Sequence, residues 1–214
     1  MNNEIRSMFR DAGIIVAITL IAGLVLGGVY QLTKEPIAEQ KRIKKQKACQ
    51  EVFAEADSFA EVEGFAEVEG FDTQAAALVL ASSEVPYSAQ DIDEVMEAKD
   101  GAGGTVGYVL TVTSHEGYGG DIQFTMGITN DGVLNGISIL SISETAGLGM
   151  RADEVLKPQF AGKSAEKYEY TKTGAVSDSQ IDAISGATIT TNAVVNGVNA
   201  GLYYFQNELG GAAK

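Results

Sequence analysis

The stretch DAISGATITTNAVVNGVNAG, residues 182–201, joins an acid, a serine and three threonines to an apolar helical pattern. The apolar side chains that fall on one helical face are Val194, Val195, Val198, Leu202 and Phe205. Gly197 and Gly201 on this helix allow close packing against a neighbouring element. These hydroxyl groups have two possible interpretations. They cap the start of the helix, or one of them carries a ligand.

Upstream of this helix the pattern is that of β-strands. The segment TVGYVLTVTS (105–114) is typical of a strand. The segment DIQFTMGIT (121–129) alternates apolar with polar residues, which also indicates a strand. NDG (130–132) predicts a tight hairpin turn, and the segment 133–143 is the returning strand. A short helix is expected around residues 151–160. We therefore predict an α+β domain, with a mainly antiparallel sheet and helices packed against it.

The N-terminal part of the chain predicts a membrane anchor. Between Asp11 and Lys34 lie 22 consecutive uncharged residues, which as a helix would extend about 33 Å against a hydrocarbon core of about 30 Å. The segment lacks the small-residue cleavage site that ends a secretory signal peptide. We therefore expect a short tail over residues 1–11 and a single, uncleaved transmembrane helix over residues 12–33.

Charge is distributed unevenly along the chain. Residues 1–47 carry eight Lys/Arg and four Asp/Glu, a local charge of +4, whereas residues 48–214 carry −18. A body this acidic would repel phosphates, which argues against a nucleic-acid partner. Six of the eight cations follow the anchor, and cation counting alone would place the C-terminal part in the cytoplasm.

Residues 34–100 are expected to be a charged helix and an acidic connector. The near-repeat FAEADSFAEVEGFAEVEGF, residues 53–71, reads as a solvated local expansion or as a docking arm. Residues 73–100 contain short apolar pieces of ambiguous type, and the glycine-rich DGAGG (100–104) marks a boundary. The folded domain is accordingly predicted over residues 101–207, with a C-terminal tail at 208–214.

Ordinary side-chain catalysis and metal binding have few candidate residues here. The only histidine is His115, read as a solvated loop residue, and the only cysteine is Cys49. Zinc sites, Ser–His–Asp triads and Cys–His dyads therefore lack components, and we predict no metal site. GYGG (117–120) would let backbone approach a ligand, although the same glycines are equally typical of a turn.

The hydroxyl-rich stretch resembles the flavinylation motif of bacterial FMN-binding domains. The matching residues are Asp182, Ser185, Gly186, Ala187, Thr188 and Thr190. Residues 117–152 resemble that domain's glycine pair, hairpin and Glu-Thr-Pro-Gly-Leu-Gly loop, with Ala146 in place of the proline and Ile142 where a histidine is common. KPQFAGK (157–163) matches a third stretch. With the anchor included, nearly the whole chain except residues 54–100 is similar to the G subunit of the Rnf electron-transport complex.

The resemblance implies FMN joined through its phosphate to the hydroxyl of Thr188. The remaining anion would lie at the N-terminus of a helix starting near Thr191. Ser185 and Thr190 would bond the phosphate or cap the helix, and Gly186 and Ala187 would keep the approach open.

Other residues gain roles from the same resemblance. Asp182 would bind the flavin transferase that matures the protein, or shape the turn. Lys172 is a cation that would offset the phosphate charge or hold electron density on the reduced ring. The expected contacts of the isoalloxazine ring are Glu144, Thr145, Leu148 and Gly149.

The resemblance thus implies a membrane-anchored flavoprotein that relays electrons within an ion-translocating ferredoxin:NAD oxidoreductase, without a complete active site of its own. Its partners would be other membrane, iron–sulfur and flavin subunits, and its domain would be extracytoplasmic. Alternatives are the C subunit of the sodium-translocating NADH:quinone reductase, an anchored FMN-binding sensor or regulator, and an adhesion-like β domain in which SGATITT is only a capped turn.

Overall fold

The computed structural model describes residues 2–53, 65–67, 71–84 and 87–210. Most of the phenylalanine repeat lies outside these residues. The chain divides into two compact units, Met1–Lys44 and Lys45–Lys214.

The first unit is formed by the long helix α1, Asn2–Val52, whose last turns belong to the second unit. Among the described residues it is the one helix long and apolar enough to cross a membrane, with a most apolar window of mean hydropathy 2.5. Its apolar side chains are exposed; Leu24, for example, is 76% exposed. The helix covers the predicted span at residues 12–33 and continues through the charged segment, including Pro36.

The second unit contains a five-stranded antiparallel sheet. Its strands are β1 (Phe65–Glu67), β2 (Gln90–Lys99), β3 (Thr105–Ser114), β4 (Ile122–Thr129) and β5 (Leu134–Ser141). They lie in the sheet in the order β1-β2-β3-β4-β5, and the helix α2 (Thr73–Ala81) lies between β1 and β2 in the chain. β3, β4 and β5 agree with the strands predicted from the sequence, and the turn between the last two closes with Gly132 at φ +80°.

Strand β2 lies before residue 101, where we expected connector, so the compact unit begins well upstream of that boundary. Its sequence, QDIDEVMEAK, is rich in acids, which are depleted in strands. β2 nevertheless pairs with β3, and its side chains are buried on both faces of the sheet, Ile92 and Val95 in the main core and Ala98 in the cluster that contains Val109. Pairing and burial thus override the low intrinsic preference of this segment for a strand.

Helix α5, Thr188–Glu208, covers one face of the sheet with the apolar side that the sequence predicts. Phe124 and Met126 of β4 point at this helix and are fully buried. They meet it at Gly197 and Gly201, where a β-carbon would collide with them. The two helical glycines therefore set the close approach of α5 to the sheet.

The last turn of α1 covers the other face of the sheet. Val52 and Phe53 are buried there, against Gly127 of β4 and Gly107 of β3. A β-carbon on Gly127 would lie 2.6 Å from the carbonyl oxygen of Val52. Because both faces are covered, even the polar Thr125 of β4 is fully buried.

Charged groups fix the same end of α1. The Glu51 carboxylate accepts a hydrogen bond from the Ser138 hydroxyl of β5 at 2.6 Å and pairs with the Lys157 ammonium group.

Short elements lead from β5 to α5. They are a 3₁₀ turn at Gly149–Arg151, the short helices α3 (Ala152–Val155) and α4 (Lys157–Phe160), and the strands β6 (Glu169–Thr171) and β7 (Gln180–Asp182). β6 and β7 pair in parallel. The two short helices agree with the helix expected around residues 151–160. The hydroxyl-rich motif follows directly from β7 into α5.

Candidate functional site

A cavity of about 500 Å³ opens at the N-terminus of α5, within the usual range for a small-molecule site. Its walls come from the glycine-rich loop after β3, the loop after β5 and the first turn of α5. The residues that line it are Tyr118, Glu144, Thr145, Leu148, Gly149, Gly186, Ala187, Thr188, Ile189 and Thr190. The fold thus brings together most of the residues singled out in the sequence, from two segments, 144–149 and 186–190, that are distant in the chain.

Helix α5 begins at Thr188, earlier than the start near Thr191 that we expected. The cap residue is Ala187, whose side chain cannot accept a hydrogen bond. The first backbone N–H groups of a helix have no partner within the helix. Among the described residues, the first N–H of α5 that has a backbone partner is that of Thr191. The open N–H groups and the helix dipole make this end of the cavity favourable for an anion.

The threonine hydroxyls of the motif have different environments. Thr191 is fully buried, and its hydroxyl donates to the Ala187 carbonyl at 2.9 Å and accepts the Ile184 N–H at 3.1 Å. Thr190 is also buried and donates to Glu144 Oε2 at 2.9 Å. The Thr188 hydroxyl, in contrast, makes no hydrogen bond within the described part of the chain, and Thr188 is only partly buried. Hydrogen bonding at the start of the helix therefore explains the presence of a hydroxyl at Thr191 but not at Thr188.

Gly186 adopts φ +76°, a conformation that other residues rarely adopt. A β-carbon at this position would lie 3.1 Å from Leu148 Cδ2. The turn closes with a hydrogen bond from the Ala187 N–H to the Ile184 carbonyl. Glycine is thus required here by its backbone conformation, and it leaves the mouth of the cavity open beside Thr188.

Three predicted residues do not line the cavity. Ser185 is exposed on the turn. The carboxylate of Asp182 accepts the Ala175 N–H at 2.7 Å, which ties Asp182 to the loop between β6 and β7. Lys172 lies at the start of that loop, outside the cavity wall.

Sequence reasoning missed Tyr118 and Ile189 as cavity residues. Tyr118 is 71% exposed and Ile189 is 51% exposed, so both side chains are open to the cavity. The sequence signal for Tyr118 was a tyrosine placed between glycines in GYGG. The signal for Ile189 was an isoleucine that does not lie on the buried face of α5.

His115 is more than a solvated loop residue. Its Nδ1 lies 2.9 Å from Asp121 Oδ1 and its Nε2 lies 2.8 Å from Asp91 Oδ2. These hydrogen bonds raise the pKa of His115 above its ordinary value of 6.5. Across the described residues, no group of three or more His, Cys, Asp or Glu side chains is placed to hold a metal ion.

Two family models match this chain. The model of the FMN-binding domain family matches residues 117–203, which contain the cavity, and the model of the RnfG N-terminal region matches residues 1–52.

Curated relatives belong to multi-subunit complexes. The G subunit of the Na⁺-translocating ferredoxin:NAD⁺ oxidoreductase complex of Acetobacterium woodii is 40% identical over 119 residues, which are 54% of this chain and 58% of that protein. The G subunit of the proton-translocating ferredoxin:NAD⁺ oxidoreductase complex of Clostridium ljungdahlii is 30% identical over 197 residues, 88% of this chain and 90% of that protein.

A solved structure shares the fold. The crystal structure of the C subunit of Na⁺-translocating NADH-quinone reductase from Parabacteroides distasonis superimposes with a TM-score of 0.55 at 18% identity. The match covers 80% of this chain and 93% of that one.

Proposed function

This chain belongs to the family of G subunits of ion-translocating ferredoxin:NAD⁺ oxidoreductase complexes of the Rnf type, and on that premise we propose that it relays electrons through one FMN attached to Thr188. The similarity to the C subunit of NADH-quinone reductases is one of fold.

The observation that carries the attachment point is the Thr188 hydroxyl, which has no hydrogen-bond partner among the described residues and lies beside the open N-terminus of α5. A phosphodiester at this hydroxyl keeps one negative charge, and the open N–H groups of the first helical turn are the donors that such an anion needs. Thr190 and Thr191 already donate their hydroxyls to groups of the protein. Thr188 is thus the threonine of the motif that is available for modification.

The residues present fit the cofactor. Bound FMN would supply the redox chemistry. The chain's own residues would hold the phosphate at Thr188 and surround the ring with the exposed apolar side chains of Tyr118, Leu148 and Ile189. This role needs a positioned cofactor rather than a catalytic side chain, so the subunit would work only together with its neighbours.

We further propose that the chain is anchored by α1 with the flavin domain outside the cytoplasm. A covalent bond retains FMN in a compartment that has no FMN pool to replace it. The cations after the span argue for the opposite orientation, but the positive-inside rule applies to short loops, and long domains translocate largely regardless of charge. Both relatives are subunits of a complex, so we expect other membrane, iron–sulfur and flavin subunits as partners and a flavin transferase for maturation.

Isosteric threonine variants test the attachment. The full chain, co-expressed with a flavin transferase and its FAD donor, should remain fluorescent on a denaturing gel, and peptide mass mapping should place one FMN, less a water, on Thr188. Thr188→Val should abolish the modification at almost no change in volume. Thr190→Val is the matched control and should keep at least part of it. A colourless wild type would overturn the flavoprotein proposal, whereas a modification on another threonine would overturn only the residue assignment.

A further inference from the structure

Glu144 connects two walls of the cavity. Its Oε2 accepts the Thr190 hydroxyl at 2.9 Å, and its Oε1 accepts the Gly119 N–H at 3.1 Å. Thr190 lies in the first turn of α5, which carries Thr188, and Gly119 follows Tyr118 in the glycine-rich loop. Both oxygens of this carboxylate are therefore used to hold protein groups.

Two glycines make room for Glu144 in this position. A β-carbon on Gly117 would lie 2.8 Å from Glu144 Oε1, and one on Gly149 would lie 2.7 Å from Glu144 Cβ. Either would displace the carboxylate from its two donors. Gly149 also faces the Thr190 hydroxyl, so a side chain there would interfere with the acceptor and the donor of the same bond. Gly117 of GYGG and Gly149 after β5 thus share one packing role.

From these contacts we infer that Glu144 is a positioning residue, which fixes the Tyr118 loop against the first turn of α5 and so sets the width of the gap that receives the isoalloxazine ring. This inference rests on the proposed function, and it gives Glu144 a different role from the ring contact that the sequence suggested. Hydrogen bonds to an ionised acceptor are stronger than those between neutral groups, which suits a carboxylate to this task.

The effects of substitutions at Glu144 and Thr190 on the flavin should be coupled. If Glu144 acts through Thr190, then Thr190→Val already breaks part of the connection that Glu144→Ala removes. The two substitutions should then be non-additive, because residues in one hydrogen-bond network share their interaction energy. If Glu144 bonded the ring independently of Thr190, the two effects would add.

The test uses the full chain loaded with FMN by a co-expressed flavin transferase, with attachment to Thr188 verified by mass. The readouts are the visible circular dichroism of the flavin, which reports its fixed orientation, and its midpoint potential. Glu144→Ala should keep FMN on Thr188 but lose most of the dichroism and shift the potential. Adding Thr190→Val to it should change neither further. Glu144→Gln, which keeps the length and one acceptor oxygen, should lie between wild type and Glu144→Ala.

A control separates positioning from general loss of stability. Asn199 of α5 also makes two hydrogen bonds, to the backbone of Tyr168 at 2.7 and 2.9 Å, and does not line the cavity. Asn199→Ala should lower the melting temperature and leave the flavin signals of the folded protein unchanged.

Unaltered dichroism and potential in Glu144→Ala, or additive effects in the double variant, would overturn the inference. Should Glu144→Ala not accumulate, wild-type signals in both Glu144→Gln and Thr190→Val would overturn it too. Absence of FMN from the wild type would contradict the proposed function instead.

Discussion

Gly197 of α5 lies directly against the ring of Phe124 of β4, and a β-carbon at position 197 would be only 2.9 Å from two ring carbons. Phe124 is fully buried and belongs to the main core. Its ring has little room to move because protein cores are close-packed. The contact therefore fixes the distance between α5, which begins at Thr188, and the sheet that supports it.

Gly197→Ala should lower stability even though it improves helix propensity. Alanine favours a helix by about 1 kcal/mol over glycine, whereas overpacking a core costs about 1–3 kcal/mol. We expect a net loss of about 1 kcal/mol, which thermal unfolding in detergent would measure. The control is Gly101→Ala, where a β-carbon meets no atom of the described residues within 4 Å. A stabilised Gly197→Ala would mean that the helix and sheet can separate slightly without cost.

His115 should titrate above its ordinary pKa because the hydrogen bonds to Asp91 and Asp121 favour its protonated form. A raised folded-state pKa stabilises the protein fully below the unfolded pKa, and this stabilisation disappears as the pH rises through the folded pKa. The chain contains one histidine, so, with a histidine-free affinity tag, NMR titration would follow a single imidazole signal. Asp91→Asn should lower the measured pKa. An unshifted pKa in the wild type would show that these hydrogen bonds do not persist in solution.

Leu148→Ala should alter the flavin without removing it. Leu148 lines the cavity and is 41% exposed, so its loss would uncover part of the proposed ring site. The attachment to Thr188 should remain, while the visible absorption or the midpoint potential changes. Met150→Ala is the matched control, since Met150 is 43% exposed and does not line the cavity. Equal behaviour of the two variants would remove Leu148 from the ring site.

The orientation of the domain can be tested with one introduced thiol. Val176 is 89% exposed and lies in the loop between β6 and β7, whereas the native Cys49 is 2% exposed and should stay silent. Val176→Cys should therefore react with a membrane-impermeant thiol reagent in whole cells. Ser7→Cys, on the other side of the span, should react only after lysis. The reverse pattern would place the domain in the cytoplasm.

Local signals were enough for the parts of the fold in which neighbouring residues decide the structure. The NDG turn predicted the hairpin of β4 and β5, and the period of apolar residues predicted α5. Strand β2 was missed because its acids oppose a strand locally, and only its pairing with β3 makes it one. The start of α5 was placed too late because Ala187 offers no capping side chain, so the usual cap signal is missing.

The candidate site was predicted in part, for a related reason. The motif at residues 182–190 is contiguous, so a resemblance could locate Thr188. Tyr118 lies in the loop between β3 and β4, and the folding of the sheet brings this loop to the same cavity. No local sequence pattern relates Tyr118 to Thr188, which is about seventy positions later in the chain. Lys172 is near the motif in sequence, but the loop that Asp182 holds does not bring it to the cavity wall.

The packing of Val52 and Phe53 against Gly127 and Gly107 determines where the domain can be cut from its anchor. A water-soluble fragment beginning at residue 54 would uncover Val109 and leave an apolar slot on the sheet, which invites aggregation. One beginning at residue 101 would also lose β2 and leave the backbone of β3 as a free edge. The shortest version with both faces of its sheet protected starts near Lys45, so the last turns of α1 are also part of the core of the second unit.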